Sequence, residues 1–174
     1  YIPQRDGSYE RQELGDSQPF AKRTLQHKNF EIQLDNSTDL IQTYYFKVSS
    51  SQVADVIIVL REVDWFIGYA LDEYFYFGIF YGMILVFSFY NLIMYISMRQ
   101  KQYLYYILYN ISVGVFEMST DGIAYQYLWP DSPNWNQIAY AFALCATSIF
   151  ALLFTRSLLL VASKAPKLNK LILY

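Results

Sequence analysis

Chemistry has few places to sit in this chain, which holds one histidine, His27, and one cysteine, Cys145. With Glu10, Glu13 or Asp16, His27 could offer nitrogen and oxygen ligands to a metal. None of these residues stands at the short, fixed spacing that ligand sets show. The plain reading of His27 is a surface or hydrogen-bonded histidine. A single histidine remote from the apolar segments supplies no Ser/His/Asp arrangement. No glycine-rich phosphate loop or nucleotide motif occurs. Cys145 lies inside an apolar run, cannot form an internal disulfide, and reads as a small packing residue. These residues carry no enzyme signature, and they call for no cofactor, no metal and no nucleic-acid partner.

A second group of polar residues lies within or beside apolar runs. Glu117 comes near the end of one, a turn before Asp121. An ionisable group there reaches water at a helix end or belongs to an outward-facing pocket. Asn91 and Asn110 lie deeper, where an amide seeks a hydrogen bond to a neighbouring helix. Gly78 and Gly82 form a G-x-x-x-G. Glycines four apart share one helix face and let another backbone approach, within one bundle or in a homodimer. Aromatic residues collect beside these segments, notably Trp65 and Phe66, then Tyr125, Tyr127 and Trp129.

The elements that hold these residues are set by hydropathy. Residues 74–97 contain no charged side chain. As a helix, such a run spans about 36 Å, more than the ~30 Å hydrocarbon core of a bilayer. Residues 103–119 and 135–155 are two further spans, the first with Glu117 as its one charge. A fourth is expected to begin near residue 171. Spans this long and evenly apolar are helices, because membrane-barrel strands are ~10-residue alternating segments. Lysine and arginine set the orientation. The 98–102 linker carries Arg99 and Lys101, the 120–134 linker only Asp121 and Asp131, and 156–170 Arg156, Lys164, Lys167 and Lys170. Residues 1–73 and 120–134 are therefore expected outside, and 98–102 and 156–170 inside. The 18 tyrosines and 13 phenylalanines crowd the span ends as an aromatic belt. The first residue is Tyr1, and the sequence reads as an internal piece of a longer protein with an export signal upstream.

Residues 1–66 are more polar. Residues 29–34 and 43–48 alternate apolar and polar, and 56–60 (VIIVL) is a continuous β-branched run. Turn-forming clusters at 35–38 and 49–51 separate them, which is an antiparallel β pattern. Strands this few bury too little to stand alone, so the segment is expected to be the C-terminal half of a β-sandwich. Residues 67–73 link it to the first span. They hold Tyr69 and one glycine, Gly68, which is not the composition of a free tether.

Several blocks together resemble a known family. Outside the membrane they are Gly15-Asp16, Pro19-Phe20 with Arg23, His27-Lys28-Asn29-Phe30, Gln42-Thr43-Tyr44-Tyr45 and Val48-Ser49-Ser50. The apolar part contributes the run from Phe77 to Gly82, Tyr90-Asn91-Leu92, Tyr103-Leu104-Tyr105-Tyr106, the run from Asp121 to Pro130, and Leu153-Phe154-Thr155-Arg156. The whole resembles the bacterial seven-transmembrane receptors with diverse intracellular signalling modules. The resemblance implies the end of a jelly-roll extracellular domain joined to the first three helices of a seven-helix bundle. It also implies a small-molecule ligand, often carbohydrate, and a cytoplasmic kinase, cyclase or phosphatase module. On that reading Trp65, Phe66, Glu117, Asp121, Tyr125, Tyr127 and Trp129 are the candidates for coupling or an outer pocket. The alternative is a piece of a transporter or membrane enzyme. Those need ionisable groups near the bilayer midplane, where these spans offer only amides, hydroxyls and a thiol.

Overall fold

The computed structural model describes residues 1–4, 7–34, 41–50 and 56–160. Four helices dominate it: α1 (Val63–Met98), α2 (Lys101–Thr120), α3 (Ile123–Tyr127) and α4 (Pro133–Leu158). At 36 residues α1 is about 54 Å long, well beyond the ~30 Å of a hydrocarbon core. Its N-terminal turns carry Asp64, Asp72 and Glu73, so that end is the one suited to project from an apolar layer. The expected 67–73 linker is therefore not a separate segment but the first turns of α1. The run contains no proline, and nothing in it stops a helix from nucleating upstream of the bilayer.

Tight turns join the helices. Arg99 takes the left-handed conformation (φ 54°) and its N–H donates to the Tyr95 carbonyl at 2.8 Å, ending α1 just before α2 begins. Gly122 (φ 79°) turns the chain between α2 and α3, where a side chain would be strained. Pro133 opens α4 at a position where its missing N–H costs nothing.

α2 is the shared neighbour, packing along α4, against α1 and against α3. Its contact faces use small residues. Ser112 and Gly114 are buried on α2, Ser88 on α1, and Ala139 and Ala143 on α4. Aromatic pairs fill the wider gaps, Tyr106 against Phe154 and Phe116 against Tyr140, each with ring centres 5.3 Å apart. The outer faces are bare. The most apolar stretch of α1 is 6% buried and that of α4 11%, and both helices are long and apolar enough to cross a membrane. Core helices of a water-soluble fold would be largely covered, so these faces suit lipid or further helices. α2, with its amide, hydroxyls and Glu117, is the least apolar of the three and the most enclosed by protein.

The outer segment departs from expectation. Its sheet among the described residues is one antiparallel pair, β1 (Ile2–Pro3) with β2 (Tyr9–Glu10), in register Ile2 to Glu10 and Pro3 to Tyr9. Residues 29–34, 43–48 and 56–60 were expected as strands and form none; Ile57, Ile58, Val59 and Leu60 are exposed. The reason is pairing. A strand exists only with a ladder partner and a covered face, and no described element supplies either. The 35–38 turn, the fourth helix near 171 and the basic stretch from Lys164 lie outside the described residues.

Candidate coupling interface

The outer segment is held onto the helices through residues 16–31. After Pro19 a single 3-10 turn, Phe20–Lys22, sends the Phe20 ring inward. The Phe20 N–H donates to the Pro130 carbonyl at 2.9 Å, tying the segment to the loop before α4. Phe20 (2% exposed) meets Tyr125 of α3 (1% exposed) edge to face, with centroids 5.7 Å apart. The Tyr125 hydroxyl donates to the Gln18 carbonyl. These are the two largest fully buried side chains, so this is the best-packed point described in the molecule.

Arg23 organises the next layer. Its guanidinium lies 4.5 Å from the ring centres of both Phe20 and Phe30 and 5.8 Å from that of Tyr125. It donates to the carbonyls of His27 and Lys28 and pairs with Asp16 at 2.9 Å. A planar, five-donor cation suits a slot with rings on its faces and acceptors at its edges. Burial lowers its pKa and the Asp16 carboxylate opposes that, leaving a cation.

Residues 26–31 then meet α1. Gln126 of α3 accepts from the Tyr74 hydroxyl at 2.6 Å and donates to the Gln26 carbonyl at 3.0 Å, bridging α1, α3 and the outer segment. Lys28 pairs with Glu73 at 2.9 Å, its ammonium 4.8 Å from the Phe77 ring. His27 (4% exposed) lies between Glu31, 3.0 Å from Nδ1, and Glu73, 3.5 Å from Nε2, with Phe66 and Tyr74 edge-on to its ring. Burial pushes His27 below its ordinary pKa, against the pull of Glu73, and raises the Glu31 carboxyl to about 7. Tyr69 donates to Glu73 at 2.9 Å, completing the charged face of α1. Deeper, the Tyr81 hydroxyl donates to Asp121 at 3.1 Å.

The expected coupling residues divide. Phe66 and Tyr125 lie in the contact, against His27 and Phe20, whereas Asp121 bonds Tyr81 within the helical bundle. Glu117 is half-buried one turn below Asp121, and its carbonyl accepts the Asp121 N–H at 2.8 Å. Trp65, Tyr127 and Trp129 are not brought in. Trp65 stacks on Tyr69 at the surface, Tyr127 is exposed, and Trp129 packs on Trp135 and donates to Asn136. The packing residues divide too. Asn110 donates across to the Ile84 carbonyl and to the Ser88 hydroxyl, both at 2.9 Å. Asn91 instead donates to Phe87 in its own helix. Around Gly78 and Gly82 a Cβ would meet nothing within 4 Å, so no described helix uses that face. The close approach is at Gly114, where a Cβ would lie 3.4 Å from Ile84. His27 is bonded, as expected, but buried rather than at the surface. Sequence reasoning assigned no role to Phe20, Arg23, Lys28, Glu31, Glu73 or Gln126. The one signal for the first four is a tight cluster of mixed charges and aromatics at 20–31, which a solvated surface does not need; Glu73 and Gln126 had none.

The described residues thus form a membrane-type helical bundle with a polar outer segment seated on one end of it. Residues 73–174 match the family described as 7TM diverse intracellular signalling, and residues 1–62 match 7TMR-DISM extracellular 2. The chain belongs to this family of seven-transmembrane receptors with an extracellular sensing domain. No curated protein and no solved structure matches it.

Proposed function

We propose that this chain is the junction at which a bacterial inner-membrane receptor converts ligand binding outside into rearrangement of its helices. On this reading α1, α2 and α4 all cross the bilayer, residues 1–62 and the α3 loop face outward, and the α1–α2 turn faces the cytoplasm. The outer segment belongs to a jelly-roll domain that binds a small molecule, with carbohydrate the class suggested by the resemblance. The output lies in a cytoplasmic kinase, cyclase or phosphatase module outside this chain.

One observation carries the reading: Phe20, Arg23 and Tyr125 form a buried contact between the outer segment and the loop joining α2 to α4. A ligand shifts a receptor only by binding its two states with different affinity, and a docked and an undocked outer domain are two such states. The test is Tyr125→Ala in the intact receptor, reading the phosphorylation or cyclic-dinucleotide output of its module. Basal output should change and the response to ligand should shrink, with membrane insertion retained. Basal and ligand-dependent output equal to the parent's would remove the contact from the signalling route.

A further inference from the structure

The His27 cluster fixes where protons can be. The Asn29 N–H donates to His27 Nδ1 at 3.2 Å, so Nδ1 carries a lone pair and the ring proton is on Nε2, facing Glu73 Oε2 at 3.5 Å. Glu31 Oε1 stands 3.0 Å from that same Nδ1. A carboxylate oxygen and an imidazole lone pair repel at this distance unless a proton lies between them. Both Glu31 oxygens, His27 Nε2 and Glu73 Oε2 are buried with no hydrogen-bond partner. The nearby cations are committed elsewhere, Lys28 to Glu73 and Arg23 to Asp16 and two carbonyls.

We propose that docking of the outer segment moves one proton from the His27 imidazole to the Glu31 carboxyl, which then donates to Nδ1, making the dock a proton-relay contact. The proposal rests on the docked state of the proposed function. The groups facing the pair are Arg23 and Lys28 from the outer segment, with Asp16 behind Arg23. From α1 they are Glu73, Tyr69 and Tyr74, and from α3 Tyr125 beside Arg23.

The sign of the pH dependence follows from linkage. Released into water, His27 takes a proton below 6.5 and Glu31 loses one above 4.5. Docked, burial reverses the preference: Glu31 keeps its proton up to about 7 and the imidazole stays neutral below its ordinary value. Between those ordinary values each state holds one proton, on different residues, so docking is level with pH. Above 6.5 the free pair is empty while the docked pair still holds a proton, so docking weakens by about three-fold as pH rises through 7. Glu31→Gln, a permanent mimic of the neutral acid, keeps only the histidine effect. Its docking should weaken as pH falls below 6.5.

Two measurements on the whole chain in lipid nanodiscs test this. Spin labels at Ala21→Cys and Leu128→Cys, with Cys145→Ser, give the docked fraction against pH. The ring nitrogens of His27, the one histidine present, give its charge directly by NMR. Below pH 6.5 the docked parent should keep its neutral Nε2–H ring to a lower pH than the undocked chain does, with docking undiminished, and Glu31→Gln should dock more weakly than at neutral pH. A docked ring charged to the same extent as the undocked one at the same pH, or the same pH profile in parent and variant, overturns the proton transfer. No docked distance in the parent at any pH overturns the dock itself, and the proton transfer with it.

Discussion

Arg23 shows how much one side chain can decide here. Among the described residues it alone touches the aromatic layer, the 27–28 backbone and Asp16 at once. A lysine keeps the charge but offers a single ammonium, with no plane to lie against Phe20 and Phe30 and no fork to span two carbonyls and a carboxylate. Arg23→Lys should therefore weaken the dock by about 1.5–3 kcal/mol, the range for lost hydrogen bonds to a charged group. Hydrogen exchange checks it. The Phe20 N–H, now bonded to Pro130, should lose protection in the variant while amides within α2 keep theirs. Protection at Phe20 equal to the parent's would show that ring packing alone holds the segment.

At the scale of elements, the α1–α2 contact depends on backbone proximity. A Cβ on Gly114 would lie 3.4 Å from two Ile84 carbons, and Asn110, one turn earlier, bonds the Ile84 carbonyl. Gly114→Leu forces the helices apart and breaks that bond. It should cost about 1–3 kcal/mol, as overpacking does, while Gly82→Leu leaves the α1–α2 pair unchanged. Thermal unfolding of the two variants in detergent separates these outcomes, and equal losses would show that the Gly82 face is packed as well. The sequence made the G-x-x-x-G conspicuous and left Gly114 unmarked, because spacing gives a shared face but not which partner meets it. The long helices were legible for the opposite reason. A charge-free run such as 74–97 has one acceptable solvent, and lipid leaves the backbone few solutions. Alternation at 29–34 or 43–48 could not decide a strand, since a ladder needs a partner that local sequence does not name. The dock was half legible. Phe66 and Tyr125 stood out as aromatics beside spans, whereas Glu31, Glu73 and Lys28 carried no assigned role, because only folding brings them together.

For the whole molecule the question is how force crosses from the outer segment to the bundle. Two routes are built in. One is covalent, since α1 runs unbroken from Val63 into the apolar layer, with Gly68 inside the helix. The other is the dock, where Phe20, Arg23 and Lys28 grip α3 and α1 across more than 40 residues of sequence. A flexible insertion discriminates between them only if placed where it leaves α1 whole. About ten Gly/Ser residues between Glu62 and Val63 cut mechanical continuity but allow the segment to re-dock at high effective concentration. If the dock is the main route, the insertion alone should leave ligand-dependent output largely intact, and Tyr125→Ala alone should reduce it. The two together should abolish it while ligand affinity stays near the parent's. If the insertion alone silences the receptor, the signal travels along α1 and the dock is only an anchor. The first outcome is favoured because the contact is better buried than anything at the start of α1. Phe20 and Tyr125 are 2% and 1% exposed, whereas Val63, Trp65 and Ile67 are each at least half exposed.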